Sequence, residues 1–381
     1  MNVIDGQAGL ARYSSLICYS PTINNILNII ILLILAGISI SALTNTGIFQ
    51  KAKDAKQKSA DAELDQNTKL DSYEEEISNY LPPDVKQAIK KGKPLSTDKN
   101  TEIVDEKGNK IVIPAGFKVT GDATTVDKGI VIEDATSGAT AGSQFVWVPV
   151  GKITKADGTE TTITLGRYDF DKTTGTESAY SGDNVEEDTN DSSTLKNIKG
   201  KSIAKNITNF KNSVKENGGY YIGRYEARTT TARNDKGNDL TQITEKGTDQ
   251  VYNYVTQKQS AEQAQGMYTS NNFTSDLMNS YAWDTAITFI QKCTDKTKYA
   301  YQNSLNTSLS QTGTTNDNPC NIFDMASNVR EWTTETSSLS NYPCVLRGGH
   351  YSSSDGYTSY RRYSDTSYSS STVGFRPLLY L

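Results

Sequence analysis

Apolar and polar positions are spread very unevenly along this chain. Residues 26–43 run without a charge, which is long enough for a tilted membrane-spanning helix. A cleaved signal peptide is the alternative. Its apolar core is usually about 7–15 residues, and this run is longer and passes into a helical pattern, so retention is expected. The stretch 48–80 that follows is rich in Ala, Lys, Glu, Asp and Gln and lacks Gly and Pro, until Pro82 and Pro83 stop the helix. After a charged linker at 84–99, the alternation in KIVIPAGFKVTG and KGIVIED predicts a small β unit over 101–132. FVWVPV reads as a buried strand, and YYIGRYEA as a second one with Gly223 where the backbone must pack closely or bend. Over 282–293, Ala282, Ala286, Ile287, Phe289 and Ile290 share one broad face, predicting an amphipathic helix under a sheet. The polar stretch 169–197, with its acidic run DNVEEDTNDSS, reads as a solvated loop.

The expected fold class is α+β. An uncertain segment at 1–25 precedes a transmembrane and stalk helix at 26–80, a linker and small β unit at 81–143, and a larger domain at 144–381.

Composition narrows the function. With 381 residues, 35% hydrophobic and 22% charged, and a net charge of −5, the chain suits a polar globular surface rather than a multi-span membrane protein. No concentrated basic field is available for nucleic acid. The four cysteines, Cys18, Cys293, Cys320 and Cys344, form no CxxC pair, so neither a zinc ribbon nor a thioredoxin-like motif is supported. A Cys320–Cys344 disulfide stays open if the domain is extracellular. The single histidine, His350, excludes any site needing two or three imidazoles.

Six phrases then occur in one order: QFVWVPVGK, GGYYIGRYEAR, SYAWDTAITFIQKC, NIFDMASNVREWTTE, VLRGGHY and VGFRPLLYL. Together they make 144–381 resemble the sulfatase-modifying-factor, or formylglycine-generating-enzyme, domain, whose fold is a variant of the C-type lectin fold. Trp332 reads as core. Arg347, Gly348 and Gly349 of RGG, and Gly374 and Arg376 of GFR, read as structural, the two arginines as internal pairing groups.

Oxygen donors crowded into FDMASNVREW suit either a hard cation or a hydrogen-bonded loop. The resemblance implies structural calcium, with side-chain oxygens from Asp324 and Glu331 and main-chain carbonyls from Ser327 and Val329. Ser327 stands where the family usually has Gly. The resemblance also implies two copper-holding thiols just after RGG, and the stretch HYSSSDGYTSYRRYSDTSYSSSTVGFR contains none. Hydroxyls do not replace thiolates for cuprous ion, so copper chemistry is not expected. Iron-dependent members need several histidines, so iron is not expected either. A Ser-His-Asp arrangement through His350 and Asp355 lacks a strand-turn-helix nucleophile context. The expectation is therefore a non-enzymatic domain, with a divergent sulfatase-modifying-type activity as a lesser alternative.

Residues 26–80 resemble the N-terminal helix of type IV pilin-like proteins, although no Gly-hydrophobic-Glu processing site precedes Ile26. Lys51, Lys53, Lys56 and Lys58 after the span would by charge place the C-terminal part in the cytoplasm, whereas the pilin likeness places it outside. Taken with that likeness, the expected location is the cell membrane, single-pass through 26–43, with an extracellular C-terminal domain.

Between His350 and Thr372 stand five Tyr and nine Ser in 23 residues, with no Asn or Lys. Adaptable binding faces use this mixture, because Tyr supplies stiff amphipathic area and Ser and Gly supply tolerance and hydrogen bonds. Adenine mutation of AAC-type codons yields the same residue set, which resembles variable proteins diversified by retroelements. A plain polar hairpin is the alternative. The expected ligand-binding face comprises His350, Tyr351, Asp355, Tyr357, Tyr360, Arg362, Tyr363, Asp365 and Tyr368, and its target a protein or a glycan. Assembly as a minor pilin or pseudopilin is the competing reading.

Overall fold

The computed structural model describes residues 54–59, 62, 66, 69, 87–88, 92–187, 198–230, 232–234, 244–353 and 356–381. The chain divides into two units, Met1–Val85 and Lys86–Leu381. In the first, residues 54–59, 62, 66 and 69 are helical, inside the stretch expected as a stalk. Among the described residues no helix is long and apolar enough to cross a membrane. The expected span at 26–43 and the segment at 1–25 lie outside the described residues.

The second unit is β-rich. Its main sheet has six antiparallel strands in the order Thr274–Leu277, Pro377–Tyr380, Gly219–Gly223, Gln144–Pro149, Val131–Asp134 and Phe117–Thr120. At its centre Tyr221 pairs with Trp147 on one side and Leu379 on the other. All three are fully buried, as continuous apolar runs such as FVWV require of a strand covered on both faces. Strands at 117–120 and 131–134 belong to this sheet, so the domain boundary expected at 143/144 is corrected: it would cut through the ladder. The C-terminal Pro377–Tyr380 strand inserts between two earlier strands, Thr274–Leu277 and Gly219–Gly223.

A second sheet orders Arg361–Ser364, Cys344–Arg347, Arg330–Thr336 and Val373–Gly374, the last pairing parallel and the others antiparallel. Among the described residues of this unit three α-helices pack around the sheets, each bounded by local chemistry. Ile207–Asn217 starts where Asn206 accepts from Asn209 N and stops at Gly218, whose φ of 76° suits glycine. Gln257–Gln265 opens on a capping box between Thr256 and Gln259.

The helix Ser280–Cys293 is capped by Asn279 accepting from Ala282 N. Its apolar face is buried as expected, but its polar face is buried too, Asp284, Thr285, Thr288 and Gln291 included. Such burial is tolerable where polar groups find partners. Asp284 pairs with two arginines, and Gln291 bridges Gly175 O and Ala300 N at 2.8 and 2.9 Å. The acidic run holds a similar correction. Asn184 and Glu187 are buried, and Glu186 accepts from Ser280 N at 2.6 Å and Thr334 Oγ1 at 2.8 Å, so this end of the supposed loop is packed. Residues 188–197 lie outside the described ones.

Candidate functional site

RGG leads into the tyrosine-rich stretch, and both of its glycines are sterically required. A Cβ on Gly348, at φ 81°, would lie 2.6 Å from Met325 O, and one on Gly349 would lie 2.3 Å from Ala326 O. These close approaches seat the start of the stretch on the turn at 324–328. Tyr351 N donates to Asn328 O at 2.9 Å, and the Tyr351 hydroxyl donates to Ser371 Oγ at 3.2 Å. The loop bearing exposed Leu305 and Leu309 is tied to the same turn, through Leu305 N to Ser327 Oγ and Ser310 N to Asn328 Oδ1, both 2.9 Å.

Side chains of the expected face do not form one surface. Tyr357 and Tyr360 come together, ring centroids 5.3 Å apart, and are joined by Tyr301 at 4.8 Å from Tyr357 and by the Arg330 guanidinium 5.3 Å over Tyr360. All three tyrosines are half-buried. Along the edge strand Arg361–Ser364 successive side chains alternate sides. Arg362 goes with Tyr368, 5.2 Å away and itself against buried Trp332. Arg361 lies over Tyr180 at 4.2 Å, and Tyr363, 38% exposed, shares that side by strand parity. His350 is buried, its Nδ1 3.0 Å from Ser352 Oγ. Asp365 shapes a turn rather than facing a ligand. Hydrogen bonds from Ser367 Oγ and N, at 2.6 and 2.8 Å, hold its carboxyl below the usual range. Asp355 lies outside the described residues.

Beneath the tyrosines is a buried ionic network. Arg347 donates to Asp284 at 2.5 Å and Glu335 at 3.4 Å, and also to the carbonyls of Ser359 and Tyr360 at 3.3 Å. Arg361 reaches the same two carboxylates at 2.5 and 3.0 Å, and Arg167 reaches Glu335 at 2.7 Å. Burial pushes the Glu335 carboxyl upward, but Arg361, Arg347 and Arg167 together outweigh it and hold the group at about 2. The tyrosine-bearing loop is thus clamped from below through its own backbone. Sequence reading had Arg347 but not its partners.

The second arginine, Arg376, is equally enclosed. It donates to both Glu331 oxygens, at 2.6, 2.8 and 3.1 Å, and to the carbonyls of Gly223 and Phe323. That pairing bears on the calcium expectation. Both oxygens of Glu331 already face a cation, and Asp324 Oδ1 accepts from Thr315 Oγ1. Of the Asp324 and Glu331 side-chain oxygens, Asp324 Oδ2 alone is buried without a partner. Among the described residues no group of three or more His, Cys, Asp or Glu is arranged as metal ligands. Asp324, Ser327, Val329 and Glu331 therefore do not fit a calcium cage here. The turn instead closes by hydrogen bonds, with Asn328 donating to Glu226 Oε2 at 2.5 Å and Val329 N to Glu226 Oε1 at 2.9 Å. Asp324 and Asn328, at φ 66° and 58°, take the left-handed positions, so Ser327 need not.

The cysteines are also placed differently from the open Cys320–Cys344 pairing. Cys293, Cys320 and Cys344 are buried free thiols, and Cys344 sits in the second sheet opposite Ser364.

The family model of the sulfatase-modifying factor enzyme 1-like domain matches residues 131–379, and the chain belongs to that family. Among solved structures, PvdO from Pseudomonas aeruginosa is similar at 14% identity, covering 43% of this chain and 82% of that one, with a TM-score of 0.31. No curated protein matches the chain.

Proposed function

We propose that the Lys86–Leu381 unit is a ligand-binding module without catalytic turnover, displayed outside the cell on a membrane-anchored N-terminal helix. The observation that carries this reading is the half-buried ring cluster of Tyr301, Tyr357 and Tyr360 with Arg330, seated on the Arg347–Asp284–Glu335–Arg361 network. Rings held in place before contact lose little freedom on binding, and that is how aromatic anchors gain affinity. The target is a protein or a glycan. The absence of sulfur between His350 and Thr372 argues against the family's copper chemistry, since that stretch offers only oxygen and nitrogen donors.

Display rests on the uncharged run 26–43 and the helical pattern after it. The same pattern supports a second reading, packing of that helix into a pilin-like assembly. The Asn- and Lys-free Tyr/Ser composition of the terminal stretch supports diversification by a retroelement, and a reverse transcriptase with a near-copy of the coding segment beside the gene is the test.

For binding, the test is Tyr357→Ala with Tyr360→Ala, assayed against immobilised glycans and cell-surface protein fractions. The variant is expected to keep the parent's circular dichroism and lose its captured targets. Capture equal to the parent's refutes the face. Protease added to intact cells should release the domain, and protection of the domain until lysis refutes outward display.

A further inference from the structure

A cleft of about 410 Å³, lined by none of the tyrosine-rich stretch, has two thiols in its wall, Cys293 and Cys320, beside Asp127, Lys128 and Lys155. Cys293 ends the Ser280–Cys293 helix, Cys320 is the middle of the 3-10 turn Pro319–Asn321, and the helix packs against that turn. Each is 8% exposed. The Cys320 thiol donates to Asp127 O at 3.4 Å, and the Asp127 carboxylate acts on both thiols.

The turn that presents Cys320 is held against its preference. Cys320 and Asn321 take φ of 51° and 61°, a region that non-glycine residues occupy only when their surroundings impose it. Asn321 Nδ2 donates to Lys128 O at 3.1 Å and Gly129 O at 2.9 Å, fixing the turn to the cleft's wall. Gly129 leaves room for it, since a Cβ there would lie 1.9 Å from Cys320 O. Cys344 does not line the cleft. Among the described residues no third His, Cys, Asp or Glu completes a metal-ligand group around the pair.

We propose that Cys293 and Cys320 become joined by a disulfide when the chain folds in oxidising surroundings, with a small disulfide such as oxidised glutathione as co-reactant. One cysteine thiolate attacks a sulfur of oxidised glutathione, breaking its S–S bond and releasing one reduced glutathione. The other cysteine gives its proton to water and attacks the cysteine sulfur of the mixed disulfide. The Cys293–Cys320 bond forms and a second reduced glutathione leaves. Burial raises both thiols, Cys293 to about 12, so the finished fold keeps them protonated and slow to react. The bond therefore forms during folding, while both sulfurs are still wet. It is a staple between a helix end and a strained turn, independent of the binding function.

The full chain carrying Cys18→Ser is refolded in mixed reduced and oxidised glutathione, shown to be folded by circular dichroism, alkylated in denaturant and digested for mass spectrometry. The expected product joins the Cys293 and Cys320 peptides, about 2 Da lighter than their reduced sum, with Cys344 alkylated. Folded protein in which Cys293 and Cys320 are both alkylated, or in which either is joined to Cys344, overturns the proposal. Oxidised glutathione added after folding should make the link at least about tenfold more slowly, and an equal rate overturns the folding-coupled route.

Discussion

Replacing Glu335 by Gln removes the anion on which Arg167, Arg347 and Arg361 converge, at 2.7, 3.4 and 3.0 Å. Gln keeps the volume and one carbonyl acceptor, so the perturbation is mainly one of charge. Arg347 and Arg361 would then share Asp284 alone, and Arg167 would lose its paired carboxylate. The carboxyl is held at about 2 against an ordinary 4.5, which at roughly 1.4 kcal/mol per unit favours the ionised folded form by about 3 kcal/mol. Breaking one side of a buried ion pair independently costs about 3–5 kcal/mol. The expected loss is thus about 3–4 kcal/mol at pH 7, or a Tm lower by on the order of 10 °C. Urea unfolding followed by the fluorescence of Trp147, Trp283 and Trp332, all fully buried, reads it directly. Because the folded pKa is depressed, the stabilisation from Glu335 is present above about 4.5 and lost as pH falls toward 2. The gap between parent and variant should narrow over that window. A loss under about 1 kcal/mol at pH 7, or a gap that acid leaves unchanged, would refute the clamp.

Other perturbations test separate parts of the molecule. Burial raises Asp276 to about 6 and Glu186 to about 7, so the folded state binds more protons than the unfolded chain. Their contribution is full below about pH 4 and is lost as pH rises to 6–7, so a Tm series from pH 5 to 8 should fall. A flat or rising series contradicts the assignment. Gly349→Ala drives a methyl against the Ala326 carbonyl and is expected to cost about 1–3 kcal/mol in chemical denaturation; no measurable cost would mean that the RGG turn is not pinned. Because Arg376 holds both Glu331 oxygens, millimolar calcium should leave Tm unchanged. A rise of several degrees would show that Ser327 and Val329 carbonyls complete a site after all.

Much of the scaffold was legible in order and kind. The six phrases fall within or beside the strands and the helix Ser280–Cys293, because apolar runs such as FVWV and YYI have few ways to be buried. What the sequence concealed was pairing across distance. Arg361 and Arg362 are adjacent and chemically identical, yet strand parity sends one to Asp284 and Glu335 and the other to Tyr368. Only the register Arg347↔Arg361 decides which. Tyr301 and Arg330 were missed because they enter the ring cluster from remote segments. Glu186 and Glu187 were misread because a local acidic run carries no sign of the helix N-terminus and hydroxyls that receive it.

Among the described residues the strand Arg361–Ser364 lies at the rim of its sheet and pairs on one side only, with Cys344–Arg347. Its ladder is made by main-chain atoms, indifferent to what projects from them. Exposed positions such as Tyr363 can therefore be exchanged with little penalty, whereas Arg361, on the same side two residues away but locked to buried carboxylates, cannot. A saturation library over 350–372, read for folding alone, should accordingly divide into freely varying sites and a few immovable ones.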